Sequence, residues 1–129
     1  MSDDYTIVAL RDLEDQAAAG GFGEVMQARF ARQALGAQSI GISLQRIKPG
    51  QRGSFAHRHA QDEEVYVVVS GSGRALLDGE LVELRPFSAL RVAPATARAF
   101  EAGDEGLELI AFGTHTENDH EIVEAHWRD

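Results

Sequence analysis

From residue 38 onward, glycine and proline interrupt the chain every few residues, and the runs between them have strand character. SIGISLQRI alternates, with Ile40, Ile42, Leu44 and Arg46 on one face and Ser39, Gly41, Ser43 and Gln45 on the other. PGQRG breaks that run, SFAHRH reads as a strand and AQD as a turn. EVYVVV is a continuous β-branched run of the kind buried on both faces. SGSG reads as a turn, RALLD as a strand, and Asp78-Gly79 as a two-residue hairpin turn into ELVEL. RPFS and PAT are further turns on either side of ALRVA, and RAFEA and LELIAF complete the series. Short strands at such even spacing predict an all-β antiparallel sandwich or barrel.

The flanks are less regular. YTIVAL is a candidate strand, RDLEDQAAA a helical turn or two, and GGFG a break. EVMQARFARQAL has helix-forming composition yet alternates, and its first half is read as a strand. The tail HTENDHEIVEAHWRD is polar with one helix-like stretch, and Trp127 is expected to dock on the body or on a second subunit. At 129 residues the expectation is one domain, 1–129, with its core at about 38–113.

Composition narrows the partners. The net charge is −9, and the basic residues are spread along the chain rather than clustered, which argues against nucleic acid. No apolar run approaches the length of a membrane helix, roughly 20 residues. The chain has no cysteine, so there is no disulfide framework, thiolate metal site or thiol nucleophile. The opening MSDDYTIVAL is acidic rather than basic-then-apolar, and the expected location is the cytoplasm.

The chemistry gathers in HRHAQDEEVYVVVSGSG, residues 57–73. On a strand, His57 and His59 project together while Arg58 points away. The AQD turn brings Glu63 or Glu64 back on the next strand, where Glu64, Tyr66 and Val68 share one face. Two imidazoles and one carboxylate from adjacent strands form a donor set suited to Fe(II), Mn, Ni or Zn.

This spacing resembles the first cupin motif. Pro49-Gly50 leads in, His57-x-His59 follows, then four residues, Glu64, six residues and Gly71. VELRPFSALRVAPATARAF is similar in layout to the second motif, through Pro86, Leu90, Val92 and Pro94. The resemblance covers about residues 38–113. It implies a double-stranded β-helix, a jelly-roll-like barrel with a short N-terminal extension and a polar tail, and often a homodimer. Two positions depart from the family pattern. Ser88 stands where many cupins have glycine, and Arg98 stands where the fourth metal ligand, a histidine, is usual. Arginine stays protonated and cannot ligate a metal, so the motif positions supply three ligands at most: His57, His59 and Glu64.

A buried Glu64 needs a nearby cation, and the sequence offers a bound metal or Arg98. In one reading a divalent metal takes His57, His59 and Glu64, and Arg98 grips a small anionic ligand, with Tyr66 and Arg46 as further pocket groups. The chemistry would then be of an oxygenase, isomerase or decarboxylase type. In the other, Glu64 pairs with Arg98 in a metal-free barrel that binds or senses a small molecule without turnover. A chain serving mainly as an assembly partner would instead show a large apolar dimer face and no organised pocket. His115, His120 and His126 read as surface histidines, and Tyr66 reads more readily as core than as a pocket group.

Overall fold

In the computed structural model, which describes residues 4–127, these runs form eight strands. They are β1 Met26–Phe30, β2 Ile40–Ile47, β3 Ala56–His59, β4 Glu64–Leu77, β5 Glu80–Leu84, β6 Ala89–Val92, β7 Arg98–Thr114 and β8 His120–Val123. Each pairs antiparallel with its neighbours in a single curled sheet. The path runs β1-β2-β7-β3-β8, and β4 joins β5, β6 and β7. The expected all-β architecture is present. Asp78 (φ 48°) and Gly79 (φ 88°) make the tight β4–β5 hairpin in the left-handed region that such turns require.

Two pairs of stretches read as separate strands are continuous. EVYVVV and the RALL of RALLD belong to one strand, β4, and RAFEA and LELIAF to one strand, β7. The SGSG stretch is therefore a bend within β4 and not a turn. β4 and β7 pair from Glu64↔Gly113 to Leu77↔Arg98, with register shifts at Val68/Ser70 and Gly71/Gly73. Bulges of this kind let one strand pass from one layer of a barrel to the other. Glycine is required there because the partner backbone is so close: a Cβ on Gly73 would lie 2.0 Å from the carbonyl oxygen of Glu101.

The flanks bring further corrections. YTIVAL forms no strand; it runs irregularly into a 3-10 turn, Leu10–Asp12. The following α1 (Gln16–Ala19) is capped by Asp15, whose carboxylate accepts from Ala17 N. The first half of EVMQARFARQAL is β1, as read, and a short helix α2 (Arg32–Leu35) follows it. The helix-like stretch of the tail is instead β8, drawn into the sheet by open backbone groups on β3, from Ala56↔Val123 to His59↔His120. Trp127 docks on the body, against Ala56, Leu76 and Ala99, with the Arg52 guanidinium 4.6 Å above its ring.

The main core joins Ile47, Tyr66, Val68, Val92, Phe100, Leu107 and Leu109. Burying a side chain such as Leu107 or Leu109 contributes about 1.5–3 kcal/mol. Ile47 faces this core, so alternation also turns Gln45 and Ser43 inward. The inner face of β2 is thus its polar one, with Gln45 Nε2 donating to Ser43 Oγ at 3.0 Å. Leu44 lies on the outer face beside Ala9, Leu10, Glu108 and Ile110.

We expect Gly73→Ala to destabilise the protein by about 2 kcal/mol or more, since a rigid partner backbone must move. Gly41→Ala should change little, because its Cβ would meet only His115 Cβ at 4.0 Å. Urea unfolding midpoints of the two variants check the contrast.

Candidate metal centre

β3 is a short strand with a demanding task. Its rings at His57 and His59 project together, while Arg58 on the opposite face pairs with Glu121 at 2.6 Å. One edge of β3 meets β7 at a single pair, His57↔Arg98, and the other meets β8 over four pairs. His59 N donates to Pro94 O at 2.8 Å, and Ala60 N donates to Asp119 O at 3.1 Å. Glu64 opens β4, the next strand in the chain though not paired with β3, on the same face as Tyr66 and Val68, as the period-2 reading required.

Four groups converge on one oxygen. Glu64 Oε1 accepts from Tyr66 Oη at 2.6 Å and from Arg98 Nη1 at 3.3 Å. His59 Nε2 lies 3.2 Å and His57 Nε2 3.5 Å from the same atom. The two rings meet edge-on with centroids 5.2 Å apart. Burial pushes the Glu64 carboxyl up, but hydrogen bonds from His57 and Tyr66 and the charges of His57 and His59 outweigh it, leaving the group at about 2. Burial and the Glu64 charge push the Tyr66 hydroxyl well above its ordinary range, so it remains a donor.

Arg98 is wholly buried. Besides Glu64 it donates through Nη2 to Ala93 O at 2.8 Å, so its guanidinium lies behind the carboxylate rather than at the barrel mouth. The solvent-facing members are His57 and Glu64, with side chains 25% and 20% exposed. Beneath them Tyr66 and Phe100, with ring centroids 4.8 Å apart, fill the barrel. Concave pockets of about 420 and 410 Å³ lie elsewhere, one lined by Ala56, Asp78 and His126 and the other on the outer face of β2.

The ligand atoms of His57, His59 and Glu64 all lie within 4.8 Å of one another. His59 Nδ1 and Nε2 are buried without an aligned hydrogen bond, as is Arg98 Nε. A buried imidazole with both nitrogens unengaged is costly, and a cation at Nε2 would satisfy one of them. Two imidazoles and a carboxylate match the donor preference of Zn, Fe(II), Mn or Ni. The residues fit a divalent transition metal.

The structure thus brings together His57, His59, Glu64, Tyr66 and Arg98. It does not bring Arg46 to them: Arg46 shares the outer face of β2, and its guanidinium rests against Gly106. The apolar residues of SIGISLQRI suggested the wrong inward face. His115 pairs with Glu117 at 3.1 Å, and His120 and His126 are exposed. One residue escaped sequence reasoning. Buried Asp119, from the turn before β8, places Oδ2 3.4 Å from His59 Nδ1. No local signal in the polar stretch HTENDHEI marks it.

A family model described as "Cupin domain" matches residues 43–113, more than half of the chain. The chain belongs to the cupin family. Among solved structures, a cupin protein from Bacteroides fragilis matches with a TM-score of 0.72 at 21% identity, covering 98% of this chain and 93% of that one. The polyketide cyclase RemF from Streptomyces resistomycificus matches with a TM-score of 0.75 at 15% identity, covering 94% and 87%. A putative sugar phosphate isomerase from Acidithiobacillus ferrooxidans matches with a TM-score of 0.65 at 21% identity, covering 84% of each chain. At such identities these likenesses speak for the fold alone. No curated protein matches the sequence. No described helix is long and apolar enough to cross a membrane.

The Glu64 environment predicts a pH signature in protein kept metal-free with chelator. The carboxyl titrates lower in the folded cupin than in the unfolded chain. Its contribution, about 3 kcal/mol at most, is therefore present above its ordinary value of 4.5 and lost as pH falls towards about 2. Glu64→Gln should flatten the decline of stability across that window, read from urea unfolding at stepped pH.

Proposed function

We propose that this cupin holds a divalent transition metal on His57, His59 and Glu64 and uses it on a small anionic molecule at the barrel mouth. The observation that carries this reading is the meeting of both Nε2 atoms at one Glu64 oxygen, at 3.5 and 3.2 Å. When bound, such a metal supplies a Lewis acid with coordination positions left open for the ligand. His57 and His59 present their Nε2 edges from one strand, and Tyr66 holds the Glu64 carboxylate through its hydroxyl. Arg98 keeps that carboxylate charged from behind and adds positive potential. A dication, Arg98 and one carboxylate leave a net positive site when the histidines are neutral, which is why an anion is the fitting ligand. The filled interior below Tyr66 and Phe100 keeps that ligand small and near the surface.

A second reading has its own observation. Arg98 is fully buried with Nη1 3.3 Å from Glu64, which also describes a metal-free ligand-binding barrel closed by an ion pair.

Titration calorimetry with manganese, iron(II), nickel and zinc separates the two. The metal reading expects one ion per chain and at least a hundredfold loss of affinity in His59→Ala. Arg98→His, which adds a donor and removes a competing cation, should tighten binding at least tenfold. No binding of any of the four ions would overturn the metal reading. The ion-pair reading would then expect Arg98→Ala to lose about 3–5 kcal/mol of stability, as when one member of a buried pair is removed.

A further inference from the structure

We propose that Asp119 is a positioning residue for the metal centre, holding the His59 ring through Nδ1 so that Nε2 faces the ion site beside Glu64. The proposal rests on the metal-holding reading of His57, His59 and Glu64, and it adds a residue outside the stretch that carries the cupin motifs.

Asp119 is held as firmly as the ligand it faces. Its side chain is only 3% exposed. Oδ1 accepts from Gln61 N at 3.1 Å, and Oδ2 accepts from Gln61 N at 3.2 Å and Asp62 N at 2.9 Å. Backbone donors from the β3–β4 connection therefore fix the carboxylate in place and stabilise its charge. Asp62 locks the same connection to the segment entering β8, accepting from Thr114 Oγ1, Thr116 Oγ1 and Thr116 N at 3.0, 2.9 and 2.9 Å. His59, Asp62 and Asp119 bring their donor atoms close enough for a metal. However, these hydrogen bonds already engage both carboxylates, so the cluster is a clasp rather than a second ion site.

The clasp leaves one unmet need. His59 Nδ1 lies 3.4 Å from Asp119 Oδ2 and makes no aligned hydrogen bond to any described residue. A carboxylate can only accept, and one faces each ring nitrogen, Asp119 at Nδ1 and Glu64 at Nε2. With a metal ion taking Nε2, 3.2 Å from Glu64 Oε1, the proton of a neutral His59 sits on Nδ1, where Asp119 can accept it. A carboxylate behind a ligating histidine fixes both ring orientation and tautomer, and losing it typically weakens metal binding 10- to 100-fold. Among the described residues no second carboxylate stands behind His57, whose ring packs edge-on against His59.

The test compares wild type with Asp119→Asn. Asparagine has one carbonyl oxygen, and Oδ2 both accepts from Asp62 N and faces His59, so Asp119→Asn either offers His59 a weaker neutral acceptor or turns an N–H₂ towards both His59 and Asp62 N. Zinc and manganese titrations read affinity, and ¹H–¹⁵N NMR on zinc-loaded protein reads the His59 Nδ1–H, whose downfield proton shift reports a hydrogen bond to a carboxylate. The expected result is a strongly downfield Nδ1–H in wild type that moves upfield in Asp119→Asn, with affinity lowered at least tenfold. A wild-type Nδ1–H without that downfield shift would overturn the proposal, and that measurement does not depend on the variant folding. So would an unchanged proton shift and affinity in Asp119→Asn when wild type binds metal. Wild type with no metal affinity would remove the metal reading and, with it, Asp119 as a device for metal binding.

Discussion

A single carboxylate oxygen organises the polar interior of this barrel. Glu64 Oε1 takes a hydroxyl from its own strand, a guanidinium from the start of β7 and the facing edges of two imidazoles from β3. Each of these groups would be costly to bury alone, and the carboxylate would be costly without them. Remove Glu64 and Arg98 becomes a buried cation without a counter-charge, while Tyr66 loses the acceptor that justifies its position among apolar neighbours. The metal reading and the ion-pair reading are two ways of balancing that oxygen. Arg98 makes the balance unusual, since it places a permanent positive charge where the resemblance led one to expect a neutral ligand.

Much of this was legible in the residues because it depended on period and order. Two histidines two apart must share a strand face, and Glu64 with Tyr66 and Val68 must share another; barrel closure then has to bring those faces together. Arg98 could be identified as the departure because the turn at Pro94 fixed its place.

What was not legible follows from signals with two meanings. Glycine marks both turns and bulges, so SGSG reads as a turn, whereas it is a bulged bend where the Glu101 carbonyl leaves no room for a Cβ on Gly73. The apolar half of SIGISLQRI suggested the inner face, yet a barrel with a polar site can turn its serine and glutamine inwards and cover the apolar half from outside. Arg46 followed that reading to the wrong side. The tail became a strand through pairing with β3, and no window of residues 114–127 alone contains that information. Asp119 was invisible for the same reason.

That pairing bears on what counts as the unit of this protein. The stretch that carries the cupin signature ends at residue 113, whereas the strand bearing both histidines has most of its backbone ladder supplied by residues 120–123. A hybrid made by grafting the signature stretch onto another scaffold would inherit every ligand and lose most of the ladder that aims two of them. Swapping the C-terminal strand between cupins, with the barrel untouched, would in turn retune the spacing of the imidazoles without altering a single ligand.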